Sequence, residues 1–185
     1  MSHANRGAAW ERTLDGWHDL YALQGQALLV RSPPPLRMLG PGLRAGTFTA
    51  CYTAAAPPDY TGLVQVGGVG LAVCFDAKAC AAKRWPLSKL PLHQATHFAW
   101  WERMGGRAGV LLLLGTKPYL LPWGTWAGTP GIAPAWQRWS GGSAPRGWAS
   151  LDRAACEDLG LAVDPRKGWL AALHGRLGQP ATDTP

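Results

Sequence analysis

The stretch that decides the fold is "DYTGLVQVGGVGLAVCFDAKAC", residues 59–80. Two apolar runs flank Gly67, Gly68 and Gly70, a spacing that predicts two strands joined by a glycine-rich turn. Successive strand side chains alternate faces, so Leu71, Val73 and Phe75 share one side while Ala72, Cys74, Asp76 and Lys78 share the other. Asp76 and Lys78 thus point the same way, about 6 to 7 Å apart at Cα. Asp59 opens the first strand, and a hairpin pairing can bring it near Asp76, gathering two carboxylates and an ammonium around one point. Facing carboxylates repel unless a cation or a proton lies between them, and hard divalent ions such as Mg²⁺ take oxygen ligands. The group suits metal-assisted phosphodiester hydrolysis, with Lys78 orienting the nucleophile or stabilising charge on the phosphoryl oxygens. On spacing alone an ordinary strand-end ion pair of little energetic consequence is the commoner arrangement, since acid-x-Lys occurs in most proteins by chance.

Outward from this hairpin, "AAWERTLDGWHDLYALQG" sets Trp10, Leu14, Trp17 and Tyr21 at helical spacing with Gly25 as the stop. The neighbouring line of Glu11, Asp15 and His18 reads as a solvated face. "QALLVRSPPP" reads as a short buried strand, and "LRMLGPGLRAG" as a loop or projecting hairpin that exposes Arg37 and Arg44. "LPLHQATHFAWWERMGG" predicts a helix with apolar repeats at Leu92, Thr96, Trp100 and Met104 and a stop at Gly105. "AGVLLLLG" and "KPYLLPW" are buried strands. Beyond Trp126 the chain is irregular and rich in Gly and Pro, then carries two short helical patterns near 150–162 and 166–177. This order implies an α/β sandwich of a mixed sheet and helices rather than a barrel or bundle, with the tail as an accessory.

The chain has 185 residues and 47% hydrophobic content, ordinary for one well-buried domain. No apolar run approaches a membrane span, and the N-terminus lacks a signal-peptide layout, so a cytoplasmic, non-membrane protein is expected. Cys51, Cys74, Cys80 and Cys156 include no CxxC pair, which leaves reduced, packed thiols. Net charge is +7, with 12 Lys plus Arg against 6 Asp plus Glu in residues 1–126 but 6 against 5 in the remainder. An anionic partner is therefore expected on the front part of the chain.

In order, Glu11 on an early helix, "ALLVRSPPPLRML", "DYTG", "FDAK", "WPLSKLPLHQ" and "YLLP" resemble the RecU-type Holliday junction resolvases, a branch of the PD-(D/E)XK nucleases, over residues 5 to 122. The resemblance implies a restriction-endonuclease-like mixed sheet flanked by helices, with a projecting stalk hairpin at about 37–57. It divides the chain into a nuclease domain at 1–126 and a C-terminal extension at 127–185 packed on or beside it. The implied activity is that of a homodimeric endonuclease, phage or bacterial, using Mg²⁺ or Mn²⁺ to nick opposed strands of four-way junction DNA. Asp59 and Asp76 then stand as metal-binding acids, Lys78 as the catalytic lysine, Glu11 as the helix acid and the carbonyl of Ala77 as a backbone ligand. Gln94 matches a glutamine close to that centre, while Arg37, Arg44, Lys83, Arg84 and Lys89 become phosphate contacts. Asp76 replaces the glutamate usual in the family, and Pro57 and Pro58 replace hydroxyl residues. Trp136, Trp139, Trp148 and Trp169 read as core or dimer packing. The rival readings are a superfamily nuclease acting on flaps, ends or duplex, and a non-catalytic DNA-binding module.

Overall fold

The computed structural model describes residues 3–126, 128–142 and 149–177, so Trp148 lies outside the described residues. The decisive stretch folds into β4 (Tyr60–Val66) and β5 (Val69–Cys80), paired antiparallel from Val66↔Val69 to Tyr60↔Phe75. The two linking residues, Gly67 and Gly68, have φ of 58° and 82°, the double positive φ of a tight hairpin turn whose twist matches its strands.

A sheet grows from this hairpin in both directions. On one side stands β1 (Ala27–Arg31), antiparallel to β4. On the other, α2 (Leu92–Arg103) carries the chain across to β7 (Arg107–Leu114), which pairs with β5 in parallel and with β8 (Lys117–Pro122) in antiparallel. The strand order is β1-β4-β5-β7-β8-β10, where β10 (Leu161–Ala162) comes from the C-terminal extension. This mixed sheet flanked by helices is the expected α/β class.

The alternation along β5 divides the interior into two cores. Cys74 enters the one under α2 with Trp85, Leu90, Phe98, Leu112 and Trp123. Val73 and Phe75 enter the other, with Trp10, Leu14 and Tyr21 of α1 (His3–Leu23) and Trp169 of α5 (Gly168–Leu177). The Phe75 and Trp169 rings meet 4.8 Å apart at 63°, an edge-on contact worth about 1 kcal/mol beyond its area. Helix α1 ends as its sequence predicts: Gly25 takes φ 65° and Gln26 N–H bonds back to the Tyr21 carbonyl over 2.9 Å.

The predicted projection is a two-stranded hairpin, β2 (Leu36–Pro41) with β3 (Phe48–Tyr52), separate from the main sheet and solvent-exposed along nearly its whole length. It leaves through Ser32–Pro35, where Ser32 N–H bonds the Asp59 carbonyl and Thr53 N–H the Pro35 carbonyl.

Four expectations are corrected. The "ALLVR" strand is an edge strand with Leu28 and Val30 pointing to solvent, because α1 packs on the Ala27 face of β1 while α2 packs over β5 and β7 and leaves the other face of β1 open. His18 is buried rather than solvated: Trp169 of the extension covers it and donates Nε1–H to its Nε2 over 3.0 Å. On α2 the buried face is Gln94, Ala95 and Phe98, while Leu92, Trp100 and Met104 of the apolar repeat are exposed. The tail is more than an irregular accessory. It forms α3 (Ala133–Ser140), pairs β9 (Ser150–Asp152) with β6 (Arg84–Pro86), and through α4 (Arg153–Leu159) reaches the sheet-edge strand β10. Trp136 and Trp169 are buried as core, Trp139 packs against it, and all four cysteines are free thiols.

Candidate active site

One step beyond the last β4–β5 pair, Tyr60↔Phe75, the register sets Asp59 opposite Asp76. Here β4 stops accompanying β5, and the Asp59 carboxylate takes the place of the missing strand: Ala77 N–H donates to its Oδ2 over 2.8 Å. Asp76 is fully buried. Its Oδ1 accepts Gln94 Nε2–H over 2.7 Å, and its Oδ2 meets the Lys78 ammonium in an ion pair. Lys78 Nζ also donates to Gln94 Oε1 over 3.3 Å, so one amide of α2 bridges the acid and the lysine.

Burial pushes the Asp76 carboxyl up to about 7, with Lys78 opposing the rise and Asp59 adding to it. A buried carboxylate with a second acid beside it, whose Oδ2 has the Lys78 ammonium as its one partner among the described residues, is a donor set that a hard divalent cation fits. Asp59 and Asp76 are the residues that would hold it, with the backbone at Ala77 between them and Lys78.

Glu11 lies elsewhere. Its carboxylate forms an ion pair with Arg31, whose Nη1 also lies 3.7 Å from Asp15 Oδ2. Tyr60 completes this network, donating Oη–H to Asp15 Oδ1 over 2.8 Å beneath the Arg31 guanidinium. Arg31 and Tyr60 are cross-strand partners on the α1 side of the sheet, across from Gln94. Among the described residues no group of three or more His, Cys, Asp and Glu side chains is gathered as a metal cluster. The sequence reading missed Arg31, although Glu11 and Asp15, four residues apart on one helix, were the signal for a cation between them.

Arg37 and Arg44 project from the hairpin, exposed. Lys89 joins Lys78 and Arg84 around a cleft of about 370 Å³ beside the acid pair. Lys83 borders a second concavity of about 480 Å³, together with Lys117 and Arg153, two cations that no motif marked. Arg84 is tied to the extension, donating to Asp152 Oδ2 and Ser150 Oγ, each over 2.8 Å.

The Recombination protein U family matches residues 5–126. Holliday junction resolvase RecU of Streptococcus uberis is 30% identical over 129 residues, covering 66% of this chain and 62% of that protein. Its counterpart in Streptococcus pneumoniae is 29% identical over 126 residues, with 64% and 62% covered. The chain thus spans about three fifths of these relatives' own length. Among solved structures, Archaeoglobus fulgidus Hjc, a Holliday junction resolvase from an archaeal hyperthermophile, superposes with TM-score 0.43 at 15% identity, covering 84% of this chain and 95% of that one. The matched span runs from Asn5 to Trp126 and takes in the hairpin, the acid pair, the lysine and the amide that bridges them: the chain belongs to the Recombination protein U family.

Proposed function

We propose that this protein is a divalent-metal-dependent endonuclease that resolves four-way DNA junctions by nicking opposed strands, acting as a homodimer in the cytoplasm. The observation that carries the reading is Gln94 bridging Asp76 and Lys78, with Asp59 held beside them by the Ala77 N–H, in a chain of this family. The relatives' names as Holliday junction resolvases supply the substrate. No helix among the described residues is long and apolar enough to cross a membrane.

A bound Mg²⁺ or Mn²⁺ would supply Lewis acidity at the scissile phosphate and a water of lowered pKa. The chain's own residues do the rest. Asp59 and Asp76 would hold the cation, while Gln94 fixes Asp76 and Lys78 in one geometry. Lys78, whose ammonium pairs with Asp76 and donates to Gln94, is the cation that would meet the phosphoryl oxygens. Glu11, which Arg31 holds in the metal-free protein, and the Ala77 carbonyl would be the further ligands. Arg37 and Arg44 on the hairpin hold phosphates of the junction arms, with Lys83, Arg84 and Lys89 holding those beside the centre. Phosphate contacts and junction shape, not base edges, set the choice of substrate.

The test is cleavage of a mobile junction and of a matched linear duplex, with Mg²⁺ and with Mn²⁺, by wild type, Asp76→Asn and Lys78→Ala. Wild type should cut the junction in preference to the duplex, and both variants should bind the junction without cutting it. Cutting by both variants would remove this assignment, while equal cutting of duplex and junction would favour a superfamily nuclease with a different substrate. No cutting with either ion would leave a binding module.

A further inference from the structure

Beyond Lys78 the sheet carries further cations on the same face. Register pairs Lys78 with Leu112 of β7 and Leu112 with Tyr119 of β8, and two residues on it pairs Leu114 with Lys117. Even steps keep a side chain on its face, so Lys117 projects on the side of Lys78, two strands across and roughly 12 Å away at Cα. Arg153 reaches the same place from the extension. Helix α4 packs on β8, where Glu157 Oε1 accepts from Arg153 Nε over 2.8 Å and from Tyr119 Oη over 3.3 Å, tying the guanidinium to the strand that carries Lys117. Lys83, Lys117 and Arg153 line the concavity of about 480 Å³, and its Ala81 and Ala82 also line the cleft of about 370 Å³ that holds Lys78 and Lys89, so the two adjoin. Asp152 borders the concavity too, but it is committed: Oδ2 accepts from Arg84 over 2.8 Å and Oδ1 from Ala155 N–H over 3.0 Å. Lys83 and Lys117 form no ion pair among the described residues.

We propose that this concavity is a second phosphate subsite, in which Lys117 and, from outside the family span, Arg153 hold a backbone phosphate of the strand being cut at a set distance from the scissile one. The proposal rests on the proposed function, which puts the scissile phosphate at Lys78. Three observations select the ligand. The site offers cations with no aromatic ring among its described lining residues, so it suits a phosphodiester and gives a base nothing to stack on. It adjoins the cleft at Lys78, so one polyanionic strand can lie in both, which a free phosphate would not do. Finally, residues 150–153 serve both ends: Ser150 and Asp152 fix Arg84 beside the first cleft while Arg153 enters the second concavity. Lys117 and Arg153 are thereby positioning residues, which set the linkage that the strand presents to the acid pair.

The experiment is fluorescence anisotropy of a labelled four-way junction with the full chain, metal-free, at stepped salt, alongside circular dichroism and thermal melting of each variant. Lys117→Gln and, independently, Arg153→Gln should weaken binding ~10-fold and lower the slope of log affinity against log salt by about 1, while keeping a native spectrum and a cooperative melt. Arg166→Gln removes the same charge from the extension next to α5, on the α1 side of the sheet, and should change neither. Junctions with one phosphate at a time replaced by an uncharged methylphosphonate then locate the contact. One position near the cut should cost wild type a comparable loss and cost the Lys117→Gln, Arg153→Gln double variant nothing further. Folded variants that bind like wild type, or lose no more than Arg166→Gln, would overturn the subsite and leave the junction-cutting reading standing. A double variant that still senses every phosphate that wild type senses would overturn it in the same way. A wild type that binds through the located phosphate yet cuts with neither Mg²⁺ nor Mn²⁺ would uphold the subsite and remove the nuclease. A wild type that does not bind the junction would overturn both.

Discussion

Gln94 Nε2 donates to Asp76 Oδ1 over 2.7 Å, which lets an amide on α2 fix the position of a carboxylate buried on β5. Asp76 has come out of water, stands beside Asp59 and relies on Gln94 and Lys78 for its polar contacts. Such a group costs stability in the metal-free protein.

Asp76→Asn should therefore abolish junction cutting yet raise the metal-free melting temperature by a few °C, since the amide oxygen still accepts from Gln94 and no buried charge remains. Gln94→Ala should move the other way, costing about 1 to 3 kcal/mol by leaving Asp76 without its donor. Calorimetry of the two variants decides this, and a drop in both would mean that the Asp76–Lys78 ion pair outweighs the burial of the charge.

Glu11 is engaged by Arg31 on the α1 side of the sheet, away from Asp76. In a calorimetric titration with Mn²⁺, Glu11→Gln should weaken binding less than Asp59→Asn or Asp76→Asn. Equal losses from all three would mean that Glu11 leaves Arg31 at no cost.

Glu102, which no motif marks, ties three segments together. Its Oε1 accepts Gly124 N–H at 3.1 Å, Trp126 Nε1–H at 3.0 Å and Ala108 N–H at 3.4 Å. Glu102→Ala should destabilise the fold by about 2 to 4 kcal/mol, and Glu102→Gln by less because an acceptor oxygen remains. Urea denaturation of the two variants measures the difference.

His18 supplies the pH dependence. Burial lowers its pKa from 6.5 to about 4, with Asp19 opposing weakly. The unfolded chain takes up the proton first, so stability is fully present above about pH 6.5 and declines as the pH falls toward 4, by about 3 kcal/mol in all. His18→Gln keeps an acceptor for Trp169 and does not titrate. Its stability should lose this slope across that window in denaturant titrations at stepped pH.

The glycine hairpin, the α/β class and the shared face of Asp76 and Lys78 were legible because strand alternation and turn chemistry are local rules. The pairing of Asp59 with Asp76 needed only the hairpin register. What stayed hidden depended on contacts distant in sequence. The burial of His18 requires Trp169, 151 residues away, and the commitment of Arg84 requires Ser150 and Asp152. The exposure of Leu28 and Trp100 could not be read from their apolar character, since periodicity reports that a face is apolar and not whether the same chain covers it.

The strand β10 and the helix α5 give the family boundary at Trp126 a practical meaning. β10 pairs with β8, and α5 roofs Tyr21 and Phe75 with Trp169. A fragment trimmed to the matched span would leave one sheet margin unpaired and a wall of aromatic rings open to water. An expression clone of this protein designed from its homology alone would therefore be expected to yield inclusion bodies rather than a folded minimal domain.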